Sequence, residues 1–130
     1  MLDLKKIRKM MHENGIDCII ATSRENVLYS SGVQAGIPLR LAPVILPTDG
    51  EPVILVHPSG SGAGEDITAR KTSWIRDVRL YDGGEWAPNM VWDEVAKVIK
   101  EKELNSSTIG LEVLNIAGSS YDYVRHILPE

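Results

Sequence analysis

Three histidines and one cysteine are the first candidates for metal chemistry in this chain. His12, His57 and His126 are far apart, and none has a histidine or cysteine three or four residues away. Helical metal sites use that spacing because it places two ligands on one face. His12 and Glu13 are adjacent, so on a helix they would point about 100° apart. The sequence therefore predicts no metal ligand and no catalytic residue in this chain.

Residues 60–64 place three glycines at alternate positions, after a predicted strand and before a possible short helix. This loosely resembles a phosphate-binding turn, but the dinucleotide fingerprint G-x-G-x-x-G has its third glycine one residue later. Ser59 and Ser61 are close to His57, yet no Gly-x-Ser-x-Gly motif is present and no third group is visible to orient a Ser–His pair. We interpret the stretch as a flexible loop.

The size and composition are those of one globular domain. The chain has 130 residues, 43% of them hydrophobic, and a net charge of −4, which argues against a nucleic-acid partner. The first residues lack the apolar region of a signal peptide, and no apolar run approaches the ~20 residues of a membrane span. Cys18 lies in an apolar run and is interpreted as a buried, unreactive residue. We expect a cytoplasmic domain over residues 1–130 without a membrane partner.

The first helix should begin after Asp3, whose side chain suits an N-cap. Its apolar stripe is predicted to contain Leu4, Ile7, Met10 and Met11. Gly15 follows the helix where a left-handed conformation favours glycine. The helix therefore ends just before the next apolar run.

Residues 18–21 predict a strand that is buried on both faces. Ser23 can cap a second, short helix, and Gly32 should end it. Within this helix Asn26 is predicted to hydrogen-bond at the helix start and Tyr29 to be a core aromatic. Both are therefore interpreted as structural residues.

The remaining pattern alternates strands and helices. Strands over residues 42–46 and 53–56 flank a Pro-Thr-Asp-Gly-Glu-Pro turn and should form an antiparallel hairpin. The next predicted elements are a strand within residues 74–81 and a helix over residues 90–104. Asn89 should cap this helix, and Asp93 and Lys97 should form an ion pair on it. A strand over residues 108–113 and a terminal helix after Ser119 complete the pattern. This order predicts an α/β fold with a mixed sheet of about five strands flanked by helices.

The chain resembles the amino-terminal domain of the creatinase/prolidase (aminopeptidase P) family. Residues 15–32 carry Gly-Ile-Asp, then Ser-x-Glu-Asn and Tyr-x-x-Gly at the family's spacing, with Arg24 in place of a proline. Similar segments at 49–52, 74–81, 109–112 and 121–129 extend the resemblance over nearly the whole chain. It implies a ribonuclease-H-like domain that precedes a metal-binding "pitta-bread" catalytic domain, which is absent from this chain.

The resemblance also implies a function. The parent protein would be a hydrolase of Xaa-Pro peptides or a related small C–N substrate, with two Mn, Co or Zn ions in the catalytic domain. This domain would support a homodimer and narrow the active-site entrance. A free-standing module that binds an anion or nucleotide is the alternative.

The resemblance also implies a substrate-binding role for one residue of this chain. In creatinase-like relatives the loop after the second helix enters the partner subunit's active site and presents an arginine to a substrate carboxylate. Arg40 stands at the corresponding distance after Gly32, with Pro38 where those relatives have an aromatic residue. A planar guanidinium matches a carboxylate well. A solvated loop charge is the alternative for Arg40.

Overall fold

The computed structural model describes residues 3–32, 42–56, 74–81, 89–104 and 108–111. These residues form three helices and five strands. In chain order they are α1 (Leu4–Glu13), β1 (Cys18–Ala21), α2 (Arg24–Ser31), β2 (Val44–Pro47), β3 (Val53–Val56), β4 (Asp77–Leu80), α3 (Asn89–Glu101) and β5 (Ile109–Leu111).

The five strands form one mixed sheet in the order β4-β3-β2-β1-β5. Strand β2 is antiparallel to both of its neighbours, whereas β3 pairs with β4 and β1 pairs with β5 in parallel. The predicted mixed sheet and the predicted β2–β3 hairpin are therefore confirmed. Strand β1 is internal, with β2 on one side and β5 on the other, which explains its uninterrupted apolar run.

The sheet has a packed layer on each face. On the first, the α3 face, Trp92, Val95 and Ile99 are fully buried against strand side chains such as Ile20 and Leu55. Because side chains alternate along a strand, the neighbouring residues point the other way. They form a second cluster, on the α1/α2 face, that contains Ala21, Val27, Val44, Ile54, Val56 and Val78. The sheet is thus an internal layer between helices.

The predicted caps of α1 and α2 are confirmed. The amide of Lys6 donates to Asp3 Oδ1 at 3.1 Å, and Gly15 has a φ of 67° just after α1. The amide of Asn26 donates to Ser23 Oγ at 3.2 Å, and Gly32 ends α2 with a φ of 81°. Local sequence therefore fixes both ends of each helix.

Two predicted core residues are on the surface. Tyr29 is 52% exposed, because α2 packs on the sheet through Val27 and two serines instead. Met10 is 54% exposed while Met11 is 1% exposed. Consecutive helical residues lie about 100° apart, so only one of the two methionines can face the sheet. The prediction of Tyr29 as a core aromatic was wrong, and the stripe of α1 is narrower than predicted.

Helix α3 departs from prediction in two details. It begins at Asn89 itself, whereas Asn89 was predicted to precede it as a cap. Lys97 Nζ contacts Glu94 Oε1 at 2.8 Å, so its close ion pair joins residues three apart, and the charge of the predicted partner Asp93 also favours the charged form of Lys97. Strand β5 is described to Leu111, and the predicted terminal helix after Ser119 lies outside the described residues.

Candidate functional site

Most residues singled out for chemistry lie outside the described part of the chain. This is the case for Arg40, for residues 59–64 and for two of the three histidines, His57 and His126. His12 is exposed on α1. Within the described ranges, no group of three or more His, Cys, Asp or Glu side chains is placed to hold a metal ion. In the same ranges no helix is both long and apolar enough to span a bilayer.

Cys18 is fully buried in the internal strand β1. Burial raises the pKa of its thiol to about 12, with a smaller opposing effect of the Lys102 charge. A thiol with such a pKa carries very little thiolate at neutral pH, and the thiolate is the nucleophilic form. The prediction that Cys18 is a buried apolar residue is confirmed.

A cavity of about 180 Å³ lies between α1, α2 and the sheet. Its floor consists of two cross-strand pairs, Ile19 with Leu46 and Ala21 with Val44, which share one face of β1 and β2. The walls are Ile7 from α1 and Asn26, Tyr29 and Ser30 from α2. The cavity is therefore almost entirely apolar and lies over the centre of the sheet.

Helix α1 is held beside this cavity by Arg8. Its Nε donates to the carbonyl oxygen of Pro47 at 3.3 Å, and its Nη2 donates to that of Gly50. Arg8 thereby joins the helix to the turn after β2, so it helps to fix the cavity wall.

The carboxyl end of α2 is fixed by three contacts. The indole N–H of Trp74 donates to the carbonyl oxygen of Ser30 at 2.7 Å, which satisfies one of the carbonyls left free at a helix end. Ser31 Oγ donates to the carbonyl of Val27 at 2.6 Å, and the amide of Gly32 donates to that of Leu28 at 2.9 Å. The segment that contains Arg40 therefore departs from a well-anchored point.

Asp17 joins β1 to both neighbouring strands. Its carboxylate Oδ2 accepts the amide of Thr108 at 2.8 Å, and its own amide donates to the Thr108 carbonyl at 2.9 Å. Its carbonyl accepts the amide of Thr48 at 2.8 Å, while Thr48 Oγ1 donates to the carbonyl of Ile16 at 2.6 Å. Sequence analysis gave Asp17 no role beyond the family motif, since its partner Thr108 is 91 positions away.

The most strongly linked charges are structural. Arg79, on edge strand β4, makes paired contacts with Asp77 at 3.0 Å and with Glu101 of α3 at 2.6 and 3.1 Å. The Arg79 guanidinium holds the pKa of both carboxyl groups below their usual range, and they raise its own pKa. Each charge has its counter-charge, so the cluster ties the sheet edge to α3. Among the described strands β4 is at the edge of the sheet, where charged residues also discourage pairing with other sheets.

Comparison with solved structures shows the same fold in peptidases. A proline dipeptidase from Streptococcus pneumoniae matches with a TM-score of 0.74 and 18% identity, over 100% of this chain and 89% of that chain. The N-terminal domain of an Xaa-Pro dipeptidase from Lactobacillus brevis matches with a TM-score of 0.75 and 15% identity, over 99% of this chain and 91% of that chain. A prolidase from Pyrococcus furiosus matches with a TM-score of 0.64 and 23% identity, over 96% of this chain but only 32% of that chain.

A search of curated proteins found no significant match to the chain. The model of the creatinase/prolidase N-terminal domain matches residues 4–130, which is nearly the full length. The chain therefore belongs to the creatinase/prolidase N-terminal domain family.

Proposed function

We propose that this chain is the non-catalytic amino-terminal domain of a metal-dependent Xaa-Pro peptidase that is cytoplasmic. The observation that carries the proposal is the family match over residues 4–130. It is supported by larger structural neighbours, since this chain spans 30% of an Xaa-Pro dipeptidase from Bacillus anthracis and 31% of an X-Pro aminopeptidase from Thermotoga maritima. A pitta-bread domain of the same protein would hold the two Mn, Co or Zn ions and perform the hydrolysis.

The proposed task of this domain is to build a homodimer and to shape the entrance of the active site. Arg40 would reach the partner subunit's site and bind the free carboxylate of the substrate. The anchored end of α2 supports this proposal, because Trp74 and Gly32 fix the point from which the segment with Arg40 begins. A guanidinium can make two parallel hydrogen bonds to a carboxylate.

The first experiment compares the longest protein that the gene encodes with the same protein ended after Glu130. Both are assayed on an Xaa-Pro dipeptide with added Mn²⁺ or Co²⁺, and their bound metal is measured by mass spectrometry. We expect hydrolysis and about two metal ions per chain only in the longer protein. Hydrolysis by the shorter protein would contradict the proposal. The proposal would also be contradicted if the longest protein that the gene encodes ended at Glu130.

The second experiment tests Arg40 in the longer protein. Arg40→Ala should lower kcat/KM for an Xaa-Pro dipeptide about tenfold to a hundredfold, since it removes a hydrogen bond to a charged group. It should leave hydrolysis of the corresponding Xaa-Pro amide unchanged, because the amide has no carboxylate to bind. Arg76→Ala, which removes an exposed arginine outside the proposed loop, is the control. Equal losses on both substrates would refute the carboxylate role.

The proposed homodimer is tested by sedimentation velocity on the longer protein. We expect one species with twice the mass of the chain. If the protein sediments as a monomer at the concentration of the activity assay, Arg40 cannot act in a partner's site.

A further inference from the structure

The cavity between α1, α2 and the sheet plays no part in the proposed function. Its floor includes Ile19, the one residue of β1 that is not buried, although β1 lies between β2 and β5 in the sheet. The floor is rigid, because Ile19 and Ala21 belong to a strand that is hydrogen-bonded on both sides. The cavity is therefore part of the fixed architecture of the domain.

Water is a poor occupant of this cavity. The hydroxyl of Ser30, on the α2 wall, already donates its hydrogen to the carbonyl of Asn26 at 2.7 Å. Asn26 and Tyr29 also line the α2 wall, but both are exposed and lie at the rim, whereas the floor and the α1 wall contribute only aliphatic side chains from the described residues. A water molecule at such a site needs two to four polar partners, and apolar cavities that lack them stay dry and accept apolar solutes. The chemistry of the lining thus favours an apolar guest.

The volume sets the size of that guest. Cavities of about 150 Å³ with an aliphatic and aromatic lining bind benzene, whereas drug-sized ligands occupy about 300–1,000 Å³. At about 180 Å³ this cavity is smaller than a drug-sized site and large enough to hold one ring. We propose that it binds one small apolar molecule, of the size of a single aromatic ring.

The test uses the full chain and toluene as the probe. Methyl signals of Ile7, Ile19, Val44 and Leu46 are followed by ¹H–¹³C NMR during titration, with those of Val95 and Val98 on the α3 face as internal controls. We expect saturable shifts of the cavity methyls only. Pyrazine, a well-hydrated ring of similar size, should produce no saturable shift. Cavity methyls that do not respond to toluene up to its solubility would overturn the proposal.

Two variants locate the site. Ala21→Leu adds a larger side chain to the floor and should weaken toluene binding at least about tenfold. Ala96→Leu makes the same change on α3, against the opposite core cluster, and should leave binding unchanged. Ile7→Ser removes an apolar wall on the helix without altering the sheet, and should also weaken binding at least about tenfold, even if Ala21→Leu fails to fold. Unchanged affinity in a folded Ala21→Leu or Ile7→Ser protein would refute the location.

Discussion

Replacing Asp17 by alanine tests how the short edge strand β5 is held on the sheet. Strand β5 has three residues, and its entry is fixed by the contact of Asp17 Oδ2 with the Thr108 amide at 2.8 Å. A hydrogen bond to a charged group contributes about 1.5–3 kcal/mol in general. Asp17 and Thr108 are both exposed, so water can replace the lost partner. We therefore expect Asp17→Ala to lower the free energy of unfolding by about 1–1.5 kcal/mol.

For a domain of this size, such a loss lowers the melting temperature by about 4–6 °C. Asp17→Asn keeps an oxygen acceptor without the charge and should lose about half as much. The matched control is Glu51→Ala, which removes an exposed carboxylate for which the described structure gives no hydrogen bond. It should change the free energy of unfolding by less than about 0.5 kcal/mol.

Hydrogen exchange locates the effect. In the native protein the Thr108 amide is bonded to Asp17 and should exchange slowly, whereas in Asp17→Ala it should exchange faster while the β2–β3 hairpin remains protected. The reasoning is refuted if Asp17→Ala has the same melting temperature as Glu51→Ala and its Thr108 amide still exchanges slowly. The carboxylate would then have no part in holding β5.

Three further outcomes are expected. Cys18, whose pKa burial raises to about 12, should resist thiol reagents in the native state and react fully in denaturant; rapid native labelling would contradict its burial. In urea unfolding, Gly32→Ala should lower the free energy of unfolding by about 1–2 kcal/mol, because Gly32 has a φ of 81°. Gly110→Ala is the comparison: its added methyl group would meet Ile19 at an ordinary 3.5 Å, so the free energy of unfolding should stay the same or rise slightly. Arg79 lowers the pKa of Asp77, so it stabilises the fold above the ordinary carboxyl pKa and this contribution is lost as pH falls through the lowered value. Arg79→Leu should therefore shrink the difference in unfolding free energy between about pH 6 and about pH 3, and an unchanged difference would refute the link.

The described helices and strands were largely predictable because their signals are local. Asp3, Ser23, Gly15 and Gly32 each determine a helix end through contacts within a few residues. Apolar runs of four residues are typical of strands buried on both faces, and β2 and β3 are fully buried along their length. Pro and Gly in the intervening turn predicted the antiparallel pairing.

Tyr29 was mispredicted because α2 has only eight residues and little periodicity. An aromatic residue in such a helix is expected inside on general grounds. Here Ser30 and Ser31 are buried instead, and their hydroxyl groups donate to the carbonyls of Asn26 and Val27 within the helix. Small, internally satisfied side chains can thus face the sheet, which leaves Tyr29 at the rim of the cavity.

Long-range contacts had no local signal at all. Asp17 and Thr108 are 91 positions apart, and Arg79 and Glu101 are 22 apart. Their pairing depends on the order of the strands and on where α3 ends, which only the folded chain determines. The cavity likewise depends on the separation of two helices that the sequence places on one face without fixing their distance.

Several residues on which the family resemblance was based determine the backbone conformation or its hydrogen bonds in this structure. Gly15 and Gly32 adopt left-handed conformations, Ser23 caps α2, and Asp17 joins three strands. Such tasks require a particular residue whatever the substrate is, so these positions mark the scaffold and not the reaction. Substitutions there should therefore change the free energy of unfolding and leave the preference between Xaa-Pro acids and amides unaltered. Arg40, in the proposed function, should show the reverse, a changed preference with an unchanged free energy of unfolding.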